Sequence, residues 1–185
     1  MMSLPNLLQL LLIGAMAVPA SGAAQARTAC ELLSAADAAA LLGSPLPEPF
    51  RSEERPQMQN GHDHKTACGW FPKGVKLATA DSPPERGILL TLHRLRTPGE
   101  AATFHEHSTG MMRDAAQSNP ALGTAAPAPG IGEGAELRQR QADGVNIATL
   151  RFLKGTVAGQ VQVWRKGGAA GEVATAAAKR VVAKL

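Results

Sequence analysis

The clearest pattern along the chain lies in its last third. The stretch GAELRQRQADGVNIATLRFLKGTVAGQVQVWR alternates apolar and polar residues in three runs separated by turn residues, the signature of half-buried strands. Asp143-Gly144 is the preferred two-residue hairpin turn, and Lys154-Gly155 offers a second one. The first turn pairs Leu137 with Leu150, Ala135 with Phe152, and Glu136 with Arg151. The second pairs Phe152 with Val157, Ala148 with Val161, and Asn146 with Val163. Residues directly opposite share a face. Both hairpins therefore put Ala148, Leu150 and Phe152 on one apolar face. The other face carries Arg138, Arg140, Thr149, Arg151, Gln160 and Gln162, with Ile147 and Trp164 as its apolar exceptions.

Helical periodicity appears in three places. In EVATAAAKRVVAKL, Val173, Ala177, Val181 and Leu185 recur every four residues, and Lys179, Arg180 and Lys184 sit near the end where the helix dipole favours cations. In TPGEAATFHEHSTGMMRDAAQ, Thr97 or Gly99 can start a helix, with Pro98 in its first turn. Its stripe is Ala101, Phe104, His105, Ser108, Met111, Met112 and Ala115. In CELLSAADAAALLG, Ser34 and Asp37 form a capping box and Gly43 a stop. TACGWF and RGILLTLHRL read as strands. Residues 51–65, 78–85 and the Pro/Gly/Ala-rich run SNPALGTAAPAPGIGEG read as loops, and SPLPEPF as an extended edge or linker, since its prolines exclude a central strand. Together these elements predict an α+β fold. An antiparallel sheet ends in a three-stranded meander, helices near 99–116 and 171–184 pack on one face, and a short N-terminal helix is linked to the Cys68 strand.

The chain opens with an apolar run from Leu7 to Val18, interrupted by Gln9. At about 12 residues it is too short to span a bilayer, which takes about 20, but it suits a secretory signal. Ala24-Gln25-Ala26 fits the cleavage pattern. Residues 1–26 are thus expected to be a signal peptide, and 27–185 a single exported domain, periplasmic or secreted, with no transmembrane span after cleavage. Two cysteines, Cys30 and Cys68, in an exported chain read first as one disulfide, the alternative being two free thiols.

The formal net charge is +4, with the basic residues dispersed and six aromatics, none of them Tyr. There is no basic block and few rings on which bases could stack, so nucleic acid is not an expected partner. Catalytic signatures are also missing. There is no G-x-S-x-G, S-x-x-K or C-x-x-C, and the carboxylates Glu53, Glu54, Asp81 and Glu133 are scattered. GIGEG, Gly130 to Gly134, precedes a strand rather than the helix that a phosphate loop needs.

The histidines need separate treatment. In GHDHKTACGWF, His62 and His64 would point the same way if extended, a pairing that zinc or copper sites can use. The same segment equally suits an exposed loop. His105 and His107 are about 200° apart on a helix and cannot share a metal there. His93 falls on the polar parity of its strand. Met58, Met111 and Met112 are soft ligands in principle, but helical methionines usually fill cores. No cofactor is expected. The leading functional expectation is a non-catalytic module that binds a protein or small molecule in the cell envelope, with Arg138, Arg140, Arg151, Gln160, Gln162 and Trp164 as a candidate contact surface. A metal-binding protein using His62 and His64, and an enzyme whose site is assembled from distant residues, are the alternatives.

ACELLSAADAAALLG at the expected mature start, ACGW further on, PGIGEGAEL leading into a hairpin and a final Ala/Val helix resemble a group of two-cysteine secreted proteins and lipoproteins of bacteria with PsbP-like α+β architecture. The resemblance implies pairing of Cys30 with Cys68, with Trp70 in the aromatic position of the C-x-W pattern, and a binding or sensor role without a set activity. Members commonly carry a lipobox. Here Arg27 stands where its leucine would be.

Overall fold

The computed structural model describes residues 27–44, 50–54, 64–72, 75 and 83–185. The expected signal peptide lies outside them, as do His62, Met58 and most of the 78–85 loop. No helix among the described residues is long and apolar enough to cross a membrane.

Among the described residues, seven antiparallel strands form one sheet. They are β1 (Phe50–Glu54), β2 (His64–Trp70), β3 (Arg86–Arg94), β4 (Thr124–Pro127), β5 (Glu133–Ala142), β6 (Val145–Lys154) and β7 (Val157–Lys166), in the spatial order β1-β2-β3-β7-β6-β5-β4. The helices are α1 (Ala29–Leu32), α2 (Ala35–Leu42), α3 (Pro98–Ser118) and α4 (Ala170–Lys184), with a 3-10 turn at Pro120–Leu122. The meander is β5-β6-β7, flanked on one side by β3 and on the other by β4.

The inner face of the sheet is closed by α4. Trp70, Ile88, Leu90, Ala148, Leu150, Phe152, Val161 and Val163 meet Val173, Ala174, Ala177 and Val181 in one cluster. The stripe read from the last helix is therefore its buried face, and its small side chains let it lie close to the sheet. Leu32, Leu33, Ala38 and Leu42 complete this core from α1 and α2. Ser34 caps α2 through its side chain, Asp37 returns the bond, and Gly43 ends the helix in the left-handed region at φ 73°. Cys30 in α1 and Cys68 in β2 are bonded, with their Cα atoms 5.2 Å apart. The bridge fastens the N-terminal helices to the sheet, and a disulfide is consistent with an exported protein.

The first hairpin has the expected register, Glu136 opposite Arg151 and Leu137 opposite Leu150, until a bulge between Glu133 and Glu136. The second is shifted by two residues. Phe152 faces Gly159 and Ala148 faces Val163, because the turn is Gly155-Thr156 rather than Lys154-Gly155. Gly155 has φ 55°. With glycine first in the turn, the positive φ falls on the residue that tolerates it. A shift of two preserves sidedness, so the faces stand as expected.

Other expectations also need correction. Residues 50–54 form edge strand β1, and Thr124–Pro127 form edge strand β4, in place of an extended linker and loops. Both are short outermost strands, and an edge accommodates Pro127, which has no N–H to give to a ladder. Helix α3 lies on the opposite face from α4. Its Phe104 ring sits 4.6 Å from that of His93, and His93, Ala158 and Leu153 are cross-strand partners on the outer face. Leu153 and Ala158 are buried, so this end of the outer face is an apolar seat. The stripe of α3 is narrow and partly polar, with only Ala101, His105 and Thr109 buried, and α4 already fills the inner face. Met111, expected in the stripe, is 55% exposed.

A groove between α3 and the β4–β5 edge

The C-terminal half of α3 passes over the outer face of β5 and leaves a groove of about 650 Å³ between helix and sheet edge. Arg113, Ala116 and Gln117 form the helical wall. Ala125 and Pro127 of β4 lie opposite Arg138 and Glu136 of β5, and these four form the floor. The buried positions of α3 advance in steps of four, Ala101, His105 and Thr109. The next step is Arg113, which places its guanidinium over the groove.

Two backbone devices hold this geometry. The imidazole of His105 donates from Nε2 to the carbonyl of Gly134, 2.9 Å away, fastening α3 to the bulge of β5. Gly123, at φ 81°, turns the chain onto β5 so closely that a Cβ there would stand 2.0 Å from the Gln139 carbonyl oxygen. That turn presents the Gly123 carbonyl to Arg138, whose Nη1 donates to it at 3.1 Å.

The charges are unevenly matched. Glu136 is reached by Arg113 Nε at 3.2 Å and by Arg138 Nη2 at 3.7 Å, the second too long for a hydrogen bond. The Arg138 side chain is only 6% exposed, and its Nε and Nη2 have no hydrogen-bond partner. Arg151, next to Glu136 across the strand pair, donates from Nε to Gln160 at 3.1 Å. Burial lowers the Arg151 pKa, and the positive charge of Arg138 lowers it further, with Glu136 opposing. Three guanidinium groups thus share one carboxylate.

The six residues of the expected contact surface do share one face, but they do not form one exposed patch. Trp164 is 8% exposed, its ring 5.5 Å from that of Phe71 in a small cluster with Val145 and Ile147. It is a packing residue. Arg138 is buried on β5, two strands away and in the next cross-strand row, while Arg140, Arg151, Gln160 and Gln162 around them are half-buried. His64 is exposed at the start of β2, and its expected partner His62 is outside the described residues. Among the described residues no group of three His, Cys, Asp or Glu side chains is placed to hold a metal. The sequence alone does not single out Arg113, Glu136 as its partner, or Gly123. The four-residue step through His105 and Thr109 is the signal that leads to Arg113.

No family model and no curated protein matches the chain. Among solved structures it is similar to the extracellular domain of PknH from Mycobacterium tuberculosis. The TM-score is 0.56 and the identity 13%, over 83% of this chain and 92% of that one. At that identity the likeness is one of fold.

Proposed function

We propose that this chain is an exported, non-catalytic binding module and that the groove between α3 and the β4–β5 edge is its ligand site. The observation that carries the reading is the groove itself. It is a concavity of about 650 Å³, within the size range of small-molecule sites, with mostly small apolar walls and a few convergent polar groups. The disulfide and the fold shared with a domain described as extracellular support export. The likeness to two-cysteine secreted proteins with PsbP-like architecture accords with a binding role. Arg151 and Gln160 extend the polar strip beyond the groove, so part of the surface read from the sequence belongs to this site.

The test is a fragment screen on the disulfide-intact chain, read by backbone amide shifts. Hits should cluster on Ala116, Gln117, Ala125 and Ala126, and Ala125→Trp, which fills the groove, should remove them while leaving the unfolding midpoint near that of the wild type. Hits scattered over the surface, or unaffected by Ala125→Trp, refute the site.

A further inference from the structure

We infer that the groove takes an anionic headgroup, carboxylate or phosphate, carried on a short apolar body, and that Arg113 changes partner from Glu136 to this ligand. The inference rests on the groove being the ligand site and adds what the ligand must be.

A buried guanidinium with two unpaired nitrogens is costly unless something compensates it. Here Nη1 of Arg138 is fixed on the Gly123 carbonyl, so the side chain cannot turn away to find a partner. Glu136 is the only carboxylate paired with it among the described residues, and Arg113 holds the same carboxylate. The site therefore carries more positive than negative charge at the place where the groove is polar. Arg113 is the accessible member, its side chain 60% exposed. A guanidinium suits a bidentate oxyanion. Beside it, Ala116, Ala125 and Pro127 offer contact to hydrocarbon but no hydrogen-bonding side chain. Glu136 thus holds the place on Arg113 that the oxyanion of a ligand would take.

The experiment titrates the disulfide-intact chain with octanoate, octyl phosphate, octanol and octyltrimethylammonium, each below its aggregation concentration, following the amides of Ala116, Gln117, Ala125 and Glu136. The anions should saturate at these amides, and the neutral and cationic probes should bind about tenfold more weakly. Whichever anion is tighter distinguishes a carboxylate ligand from a phosphate one. Arg113→Gln should weaken the anions about fivefold, the scale of one partly exposed charge pair, and leave octanol unmoved. Glu136→Gln should strengthen them by a similar factor, because the internal competitor is gone. A merely structural Glu136 would give the opposite sign. Equal binding of octanol and octanoate overturns the anionic ligand but leaves the groove as a site. Absence of shifts with every probe, or weakened anion binding in Glu136→Gln, overturns the inference, and the fragment screen then judges the groove separately.

Discussion

Replacing Asp37 with asparagine removes one negative charge from the place where α2 meets the last turns of α4. Its carboxylate accepts from the backbone N–H of Ser34 at 3.2 Å and from the Ser34 hydroxyl at 2.9 Å. It also pairs with Arg180 at 3.0 Å and with Lys184 at 3.2 Å. The Ser34 N–H is the main reason that its pKa falls from 3.8 to about 2, with the Ser34 hydroxyl and Lys184 adding to it against some burial. Such a shift is linked to about 2 kcal/mol of stability. Both cations are well exposed, so solvent screening reduces this to about 1 kcal/mol. Because the folded pKa is depressed, the contribution is present in full above the unfolded value of 3.8 and is lost as the pH falls through about 2.

Urea unfolding of the disulfide-intact wild type and Asp37→Asn, from neutral pH down to about 2, tests this directly. The variant should be less stable by about 1 kcal/mol at neutral pH. The gap should hold down to about pH 4 and close below it, where the wild-type carboxyl becomes neutral like the amide. Other carboxylates titrate in both proteins and cancel in the difference. A gap that stays constant down to the lowest pH would refute the reasoning, because it would show that the charge of Asp37 is not what strengthens the Ser34 cap and the pairing with α4.

Gly159 faces Phe152 across the β6–β7 pair, and a Cβ there would stand 2.1 Å from the ring. Gly159→Ala should cost about 2 kcal/mol by overpacking, read as a lower urea midpoint. Trp164→Ala should cost about 3 kcal/mol by emptying the cluster with Phe71, whereas truncating half-buried Arg140 should cost under about 1 kcal/mol. Equal losses would return Trp164 to the surface. The double change Cys30→Ser, Cys68→Ser opens a link across 38 residues of chain and should lower stability by about 4 kcal/mol in the chain-entropy model. Unchanged unfolding would mean that the bridge does not anchor α1 to β2.

The readable parts of the fold are those where local chemistry and long-range pairing agree. Asp143-Gly144 forms the expected turn, with both residues at positive φ, so the residue pattern alone aligns β5 with β6. Ser34, Asp37 and Gly43 mark both ends of α2 for the same reason. The second hairpin differs from its expected register by two residues because Lys-Gly and Gly-Thr are both plausible turns, and face parity cannot separate registers two apart. The edge strands are hidden in the sequence because a short outer strand owes its hydrogen bonds to a neighbour, not to its own residues. The side of the sheet taken by α3 depends on Leu153 and Ala158, which pair only when the turn is Gly155-Thr156. Alternation likewise gives the face of a residue in the contact surface but not its cover. Trp164 and Arg138 share that face with Gln160, yet one packs under Phe71 and the other under the groove.

Position, more than composition, sets the groove apart from the rest of the molecule. The inner face closes its core with α4, α1, α2 and the disulfide, and none of those contacts requires α3 to lie where it does. On the outer face, α3 has an apolar seat at one end, over Leu153 and Ala158, and the Phe71–Trp164 cluster covers another part of the same face. The strip between them keeps Arg151, Gln160, Thr149 and Gln162, half-buried. A fold selected for stability alone gains nothing by placing Arg138 there with two nitrogens unpaired, since desolvating a guanidinium costs several kcal/mol and an apolar side chain would avoid that cost. Gly123, needed to bring its carbonyl within reach of Nη1, adds a backbone constraint to the same position. Two costs that the core does not require meet at one point in the groove. This is the pattern expected where a ligand draws Arg113 away and leaves Glu136 to compensate Arg138.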